Sequence, residues 1–151
     1  MSIIVLMTRN DMRIEWANEP DFLAILKINE SFSHVYSHHE SFFKEGIAGG
    51  RVLIAREGDR AVGYLIYQVL WGNTPFLALV RVLPKYRGKG LGRQLLSVCE
   101  EKLKKDGFRA LVSSSEKMNE EGNMFHTKIG FKNIGTVEMI YGEEVFYKKE
   151  L

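Results

Sequence analysis

One cysteine, three prolines and no sustained apolar run limit what this chain of 151 residues can be. A lone Cys99 forms no internal disulfide, which excludes a small secreted scaffold held by bridges. No stretch approaches the roughly 20 apolar residues of a membrane-spanning helix. Ile3 to Met7 is apolar but short, and no basic residue precedes it, unlike a signal peptide. Internal repeats and low-complexity linkers are missing, and glycine and proline are scattered. The expectation is one domain over residues 1–151, with its core at 12–149, in a soluble cytoplasmic protein. A composition 45% hydrophobic and 26% charged excludes intrinsic disorder, and a chain of this size buries a core without staples.

A formal net charge of +2 makes no case for nucleic acid, but the distribution is uneven. Between Asp11 and Gly50 seven acids face three bases. Between Arg81 and Arg93 stand five bases and no acid. A basic, glycine-containing cluster suits a polyanionic ligand, and an acidic remainder suits a cationic one.

Periodicity predicts the order β-α-α-β-β-β-α-β-α-β-β, an α/β mixed sheet, mostly antiparallel, with helices on both faces. Ile14 to Ala17 reads as a strand, followed by a helix through Phe22 to Asn29 with Pro20 in its first turn. Phe32 to Phe43 reads as a second helix, ended by Gly46, Gly49 and Gly50. Val52 to Arg56, Ala61 to Trp71 and Phe76 to Leu83 form a meander, with turns at Glu57 to Arg60 and Gly72 to Pro75. Leu91 to Leu103 has helical spacing and places Cys99 on its apolar stripe as a small core residue. A strand from Phe108 to Ser113, a helix from Asn119 to Ile129 capped by Asn119, and strands at Phe131 to Tyr141 and Glu143 to Lys149 complete the order.

The chemically informative segment runs from Val80 to Arg93. A central strand enters a loop with glycines at 88, 90 and 92, then passes directly into an amphipathic helix. Glycines let backbone approach a ligand closely, and the outward N–H groups of a helix's first turn bind phosphate. Arg87, Lys89 and Arg93 add positive charge. The loop is not a Walker A motif, because Lys89 is followed by Gly90 rather than Ser or Thr. Its spacing is also wrong for a dinucleotide fingerprint, and the strand before it belongs to a meander.

Arg87-Gly88-Lys89-Gly90-Leu91-Gly92 resembles the acyl-CoA signature of the GNAT superfamily of N-acetyltransferases: Arg or Gln, two residues, Gly, one residue, Gly or Ala. Val82-Leu83-Pro84 resembles the end of the family's fourth strand, and Asn119 with Gly130-Phe131 fits a later family motif. The resemblance extends from Met12 to Lys149. It implies a single GNAT-like domain that moves an acetyl group from acetyl-CoA, as co-substrate, to a primary amine. Attack would be direct, in a ternary complex. In the Val80-Arg81-Val82 strand, backbone groups of Val80 and Val82 would hold the pantetheine arm, and the Val82 N–H would polarise the thioester carbonyl. The N–H groups of Gly88, Lys89, Gly90, Leu91, Gly92 and Arg93 would hold the pyrophosphate, beside Arg87. Asn119 would lie near the pantetheine as well as capping its helix.

The family's usual tyrosine, thought to protonate the departing thiolate, is here His126. An imidazole titrating near neutrality makes it the candidate general acid, with Tyr141 and Tyr86 as alternatives. No carboxylate is evident on the central strands; Glu116 through water, or Ser113 to Ser115 as relays, are the options for a base. The resemblance implies an acceptor side at the first two helices and the last strands, here Phe32, Tyr36 and Ser113, with His34, His38, His39, Phe42 and Phe43 and the acids Glu30, Glu40 and Glu45. That mixture favours a small cationic amine over a protein amino group. His34 and His38 are four apart, but no third ligand of recognised spacing accompanies them, so no metal is expected. No nucleic-acid or membrane partner is expected, and an exposed edge at Glu143 to Lys149 suggests a homodimer. The rival reading is a catalytically silent acyl-CoA-binding regulatory module.

Overall fold

The structure, a computed structural model, describes residues 4–7, 11–32 and 38–151. His34 and Tyr36 lie outside these. The strands are β1 (Ile4–Met7), β2 (Met12–Trp16), β3 (Val52–Glu57), β4 (Arg60–Leu70), β5 (Thr74–Val82), β6 (Ala110–Glu116), β7 (Lys132–Met139) and β8 (Gly142–Glu150). The helices are α1 (Phe22–Glu30), α2 (Glu40–Ala48), α3 (Leu91–Lys105) and α4 (Glu120–Lys128). The strands hydrogen-bond in one mixed sheet in the order β1-β2-β3-β4-β5-β6-β8-β7. The α/β order expected from periodicity holds, with one strand more. Contacts divide the chain into two units, Met1–Tyr67 with Leu79–Cys99, and Gln68–Ala78 with Glu100–Leu151.

In the first unit β1 pairs antiparallel with β2, a strand missed in the sequence because Ile4–Met7 is short and shows no alternation of its own. β2 pairs with β3 and β3 with β4, all antiparallel. The β3–β4 turn needs only Gly58 and Asp59, and Gly58 takes a φ of +56° that a two-residue hairpin favours at its first position. Ile14, Ile25, Phe43, Leu53, Ile54, Leu65 and Leu95 are fully or almost fully enclosed, and Cys99 is buried with them. Arg56 ties the strands to the entry of α1. It pairs with Asp21 and, at 3.4 Å, with Glu15, which Arg13 also holds at 2.6 Å. Asp21 in turn accepts from the Asn18 N–H at 2.8 Å. The second helix starts later than expected, at Glu40, and runs through Gly46. Gly46 persists inside it because a Cβ there would stand 2.6 Å from Ile66 Cδ1.

In the second unit β5 runs parallel to β6, with Phe76 opposite Val112 and Leu77 opposite Ser113. The β4–β5 turn is centred on Trp71 and Gly72, at φ +54° and +74°, and Asn73 N–H closes it on Leu70 O at 3.0 Å. The turn expected at Gly72 to Pro75 is therefore displaced, and Pro75 lies inside β5. β6 extends to Glu116, so it does end in a carboxylate. β8 pairs with β6 on one side and β7 on the other. The open edge expected at Glu143 to Lys149 does not exist; β7 takes the end of the sheet instead.

Candidate active site

The glycine loop belongs to the first unit. Gly88 and Gly90 adopt φ +74° and +81°, a left-handed backbone that side chains resist, and nothing lies within 4 Å of where a Cβ would stand. The glycines are required by backbone conformation, not by crowding. Arg87, Lys89 and Arg93 are exposed, and the first turn of α3 carries no acid. Beneath the loop Tyr86 is buried, donates from its hydroxyl to Glu57 Oε1 at 3.2 Å, and takes Lys89 Nζ over its ring at 6.0 Å. Its hydroxyl is thus committed to anchoring the loop.

Backbone direction matters on β5. Leu83 N–H donates to Val62 O at 2.9 Å, so by strand alternation the N–H and C=O of Val82, and those of Val80, turn to the opposite edge. Arg87 Nε donates to Val82 O at 2.9 Å, joining the start of the loop to that edge. The Arg81 side chain is 7% exposed and stands beside the buried Tyr64 hydroxyl, which donates to Asn29 Oδ1 at 3.0 Å. Burial pushes the Tyr64 phenol well up, and Arg81 opposes that shift by its charge and a hydrogen bond. The guanidinium carbons of Arg81 and Arg87 lie 4.5 and 5.0 Å from the centroid of one ring, that of Phe32.

The second unit holds the other candidates. Asn119 caps α4, its Oδ1 accepting from Gly122 N–H at 3.0 Å. His126 is 6% exposed, stacked on Tyr147 at 4.5 Å and met edge-on by Phe131 at 5.2 Å. Its Nδ1 lies 2.7 Å from Gly122 O and its Nε2 2.7 Å from Ser113 Oγ. A carbonyl only accepts, so Nδ1 carries a hydrogen. Burial pushes the imidazole below its usual range, against the Gly122 hydrogen bond. In the neutral ring Nε2 therefore accepts from Ser113. Ser113 Oγ also reaches Leu77 O at 3.0 Å, and it can donate there only when Nε2 is protonated and donates in turn.

On the opposite sheet face stands a carboxylate missed in the sequence. Glu144 on β8 faces Glu116 across the β6–β8 pair. Burial holds the Glu144 carboxyl above its ordinary value, a hydrogen bond from Ser114 opposes this, and the Glu116 charge reinforces it. Only strand register puts these residues together. Tyr141 is 62% exposed, just before the glycine that opens β8. Among the described residues no cluster of three His, Cys, Asp or Glu could hold a metal, and no helix is long and apolar enough to cross a membrane.

The structure thus brings Phe32, Arg81, Val82 and Arg87 together in one unit, and Ser113 with His126 in the other. The profile described as "Acetyltransferase (GNAT) family" matches residues 14–131. No curated protein sequence matches the chain. Among solved structures, Ard1 from Thermoplasma volcanium aligns with a TM-score of 0.84 at 13% identity, covering 93% of this chain and 98% of that one. PaiA N-acetyltransferase from Thermoplasma acidophilum, in complex with coenzyme A, gives 0.77 at 17% identity over 93% and 99%. A GNAT-family acetyltransferase from Bacillus cereus ATCC 10987 gives 0.76 at 25% identity over 92% and 96%. With its profile matched over most of its length, and with the strand, glycine loop and helix in place, this chain belongs to the acetyltransferase (GNAT) family.

Proposed function

We propose that the chain transfers the acetyl group of acetyl-CoA to a primary amine by direct attack, with a small cationic amine as acceptor. The observation that carries this reading is the loop between β5 and α3. Two left-handed glycines there leave open space where side chains would stand, at the entry to a helix, among bases and without an acid. These residues fit a pyrophosphate: the N–H groups from Gly88 to Arg93 would hold it, with Lys89, Arg87 and Arg93 supplying charge. The outward edge of Val80 and Val82 would take the pantetheine arm as an added strand, and Val82 N–H would polarise the thioester carbonyl. The coenzyme A held by PaiA supports the same assignment.

In the reaction the amine nitrogen loses a proton and bonds to the acetyl carbon, the C–S bond breaks, and the thiolate leaves and is protonated. His126 acts as a positioning residue. Both of its ring nitrogens are engaged, so it holds Ser113 and α4 rather than reaching the sulfur.

Calorimetric titration with acetyl-CoA, free CoA and ATP tests the cofactor. Micromolar binding of both CoA forms, with ATP at least tenfold weaker, is the expected result; no binding of either CoA form overturns it. A panel of amines scored by CoA release then tests turnover. Tight acetyl-CoA binding without turnover of any amine would favour the silent acyl-CoA-binding module.

A further inference from the structure

Two arginines from the proposed cofactor segment meet on a single aromatic ring outside it. Phe32 follows the last turn of α1, where its N–H donates to Asn29 O at 3.1 Å. Asn29 also accepts from the Tyr64 hydroxyl, and Tyr64 stands beside Arg81. The end of α1 is therefore fixed to β4 and, through Arg81, to β5. The same ring takes the guanidinium of Arg87, the first residue of the glycine loop, while Arg87 Nε donates to Val82 O. Each cation is drawn to the negative face of the ring, and an arginine so placed is oriented by a planar contact as well as by its hydrogen bond.

We propose that Phe32 is a positioning residue for the cofactor loop and not a contact for the acceptor amine: its ring holds Arg87 against the Val82 carbonyl and so fixes the start of the loop. This rests on the reading of that loop as the coenzyme A site. The physical consequence is preorganisation. A loop whose first residue is already held loses less freedom when it closes on a ligand, so the ring strengthens binding without touching the ligand. Phe32 stands at the acceptor side of the sequence pattern, yet the two arginines over its ring belong to the cofactor strand and loop.

The test is a double-mutant cycle read by calorimetric titration of free CoA, using wild type, Phe32→Leu, Arg87→Met and the double variant, with Phe32→Trp as the conservative rescue. Phe32→Leu should weaken CoA binding about fivefold, the size of one modest cation–π contact. Phe32→Trp should stay within about twofold of wild type, because its ring also offers a negative face. In the Arg87→Met background Phe32→Leu should have no further effect. Equal weakening in both backgrounds, no effect or tighter binding in Phe32→Leu, or a Trp variant no better than Leu overturns the inference alone. If Phe32→Leu does not fold, Phe32→Met takes its place in the cycle: it must weaken CoA binding in the wild-type background and have no further effect in the Arg87→Met background. Wild type that binds no CoA overturns the cofactor reading and this inference with it.

Discussion

His126 sits where the sequence pattern puts a proton donor, but its surroundings favour a neutral ring. Tyr147 stacks on it, Phe131 and Phe125 close its edges, and Ser113 and Gly122 O occupy its nitrogens. No charged side chain appears among these neighbours. With its folded pKa below the ordinary 6.5, His126 contributes stability that is present above that value and lost as pH falls through the folded pKa, since only the unfolded chain takes up the proton first. Denaturant unfolding at pH 7.5, 6.5 and 5.5 should therefore show a decline that is smaller in His126→Gln. Nitrogen NMR of wild type should find the Nδ1–H tautomer at pH 7.5. A His126 that titrates above 6.5 overturns this reading and restores the imidazolium as an acid. The sequence showed which residue replaces the tyrosine, but not that both nitrogens turn inward. That depends on Gly122 one turn earlier on the helix and on Ser113 in a neighbouring strand.

Elements were more legible than residues, because periodicity and glycine spacing are local. The β5–loop–α3 passage was readable for that reason, as were the Asn119 cap and the buried stripe with Cys99. What needed a partner was hidden. β1 exists only in its register with β2, and the Glu116–Glu144 pair exists only in the register of β6 with β8. The displaced β4–β5 turn had a different cause: Trp71 accepts a left-handed backbone that its side chain disfavours, so turn chemistry pointed to the residues beyond it. Conformation also separates the loop's glycines. Gly90→Ala, at φ +81° with open space around it, should cost about 1–2 kcal/mol of stability from backbone strain and weaken CoA binding about tenfold or more. Gly92 lies within α3, whose backbone any residue adopts, so Gly92→Ala should lose less stability than Gly90→Ala. Urea unfolding and CoA titration of both variants check this. Equal losses at the two positions would show that crowding, not backbone conformation, selects the glycines.

At the scale of the molecule, the boundaries between the two units fall inside elements rather than between them. The chain passes from one unit to the other at Tyr67, Ala78 and Cys99, which lie within β4, β5 and α3. Each of these elements carries its backbone hydrogen bonding across a boundary, so three such elements oppose independent unfolding. Calorimetry should show one transition, with the calorimetric and van't Hoff enthalpies equal. Two transitions, or a van't Hoff enthalpy near half the calorimetric value, would show that the units melt separately. The proposed ligand sharpens the test, because its phosphate groups are assigned to the unit that carries Gly88 to Arg93. At a hundred times its Kd, CoA should add about 2.7 kcal/mol to the folded state and raise Tm by roughly 5–10 °C for a chain of this size. In a cooperative fold the whole transition moves together. If only part of the heat absorption shifts, the continuity of β4, β5 and α3 does not couple the units.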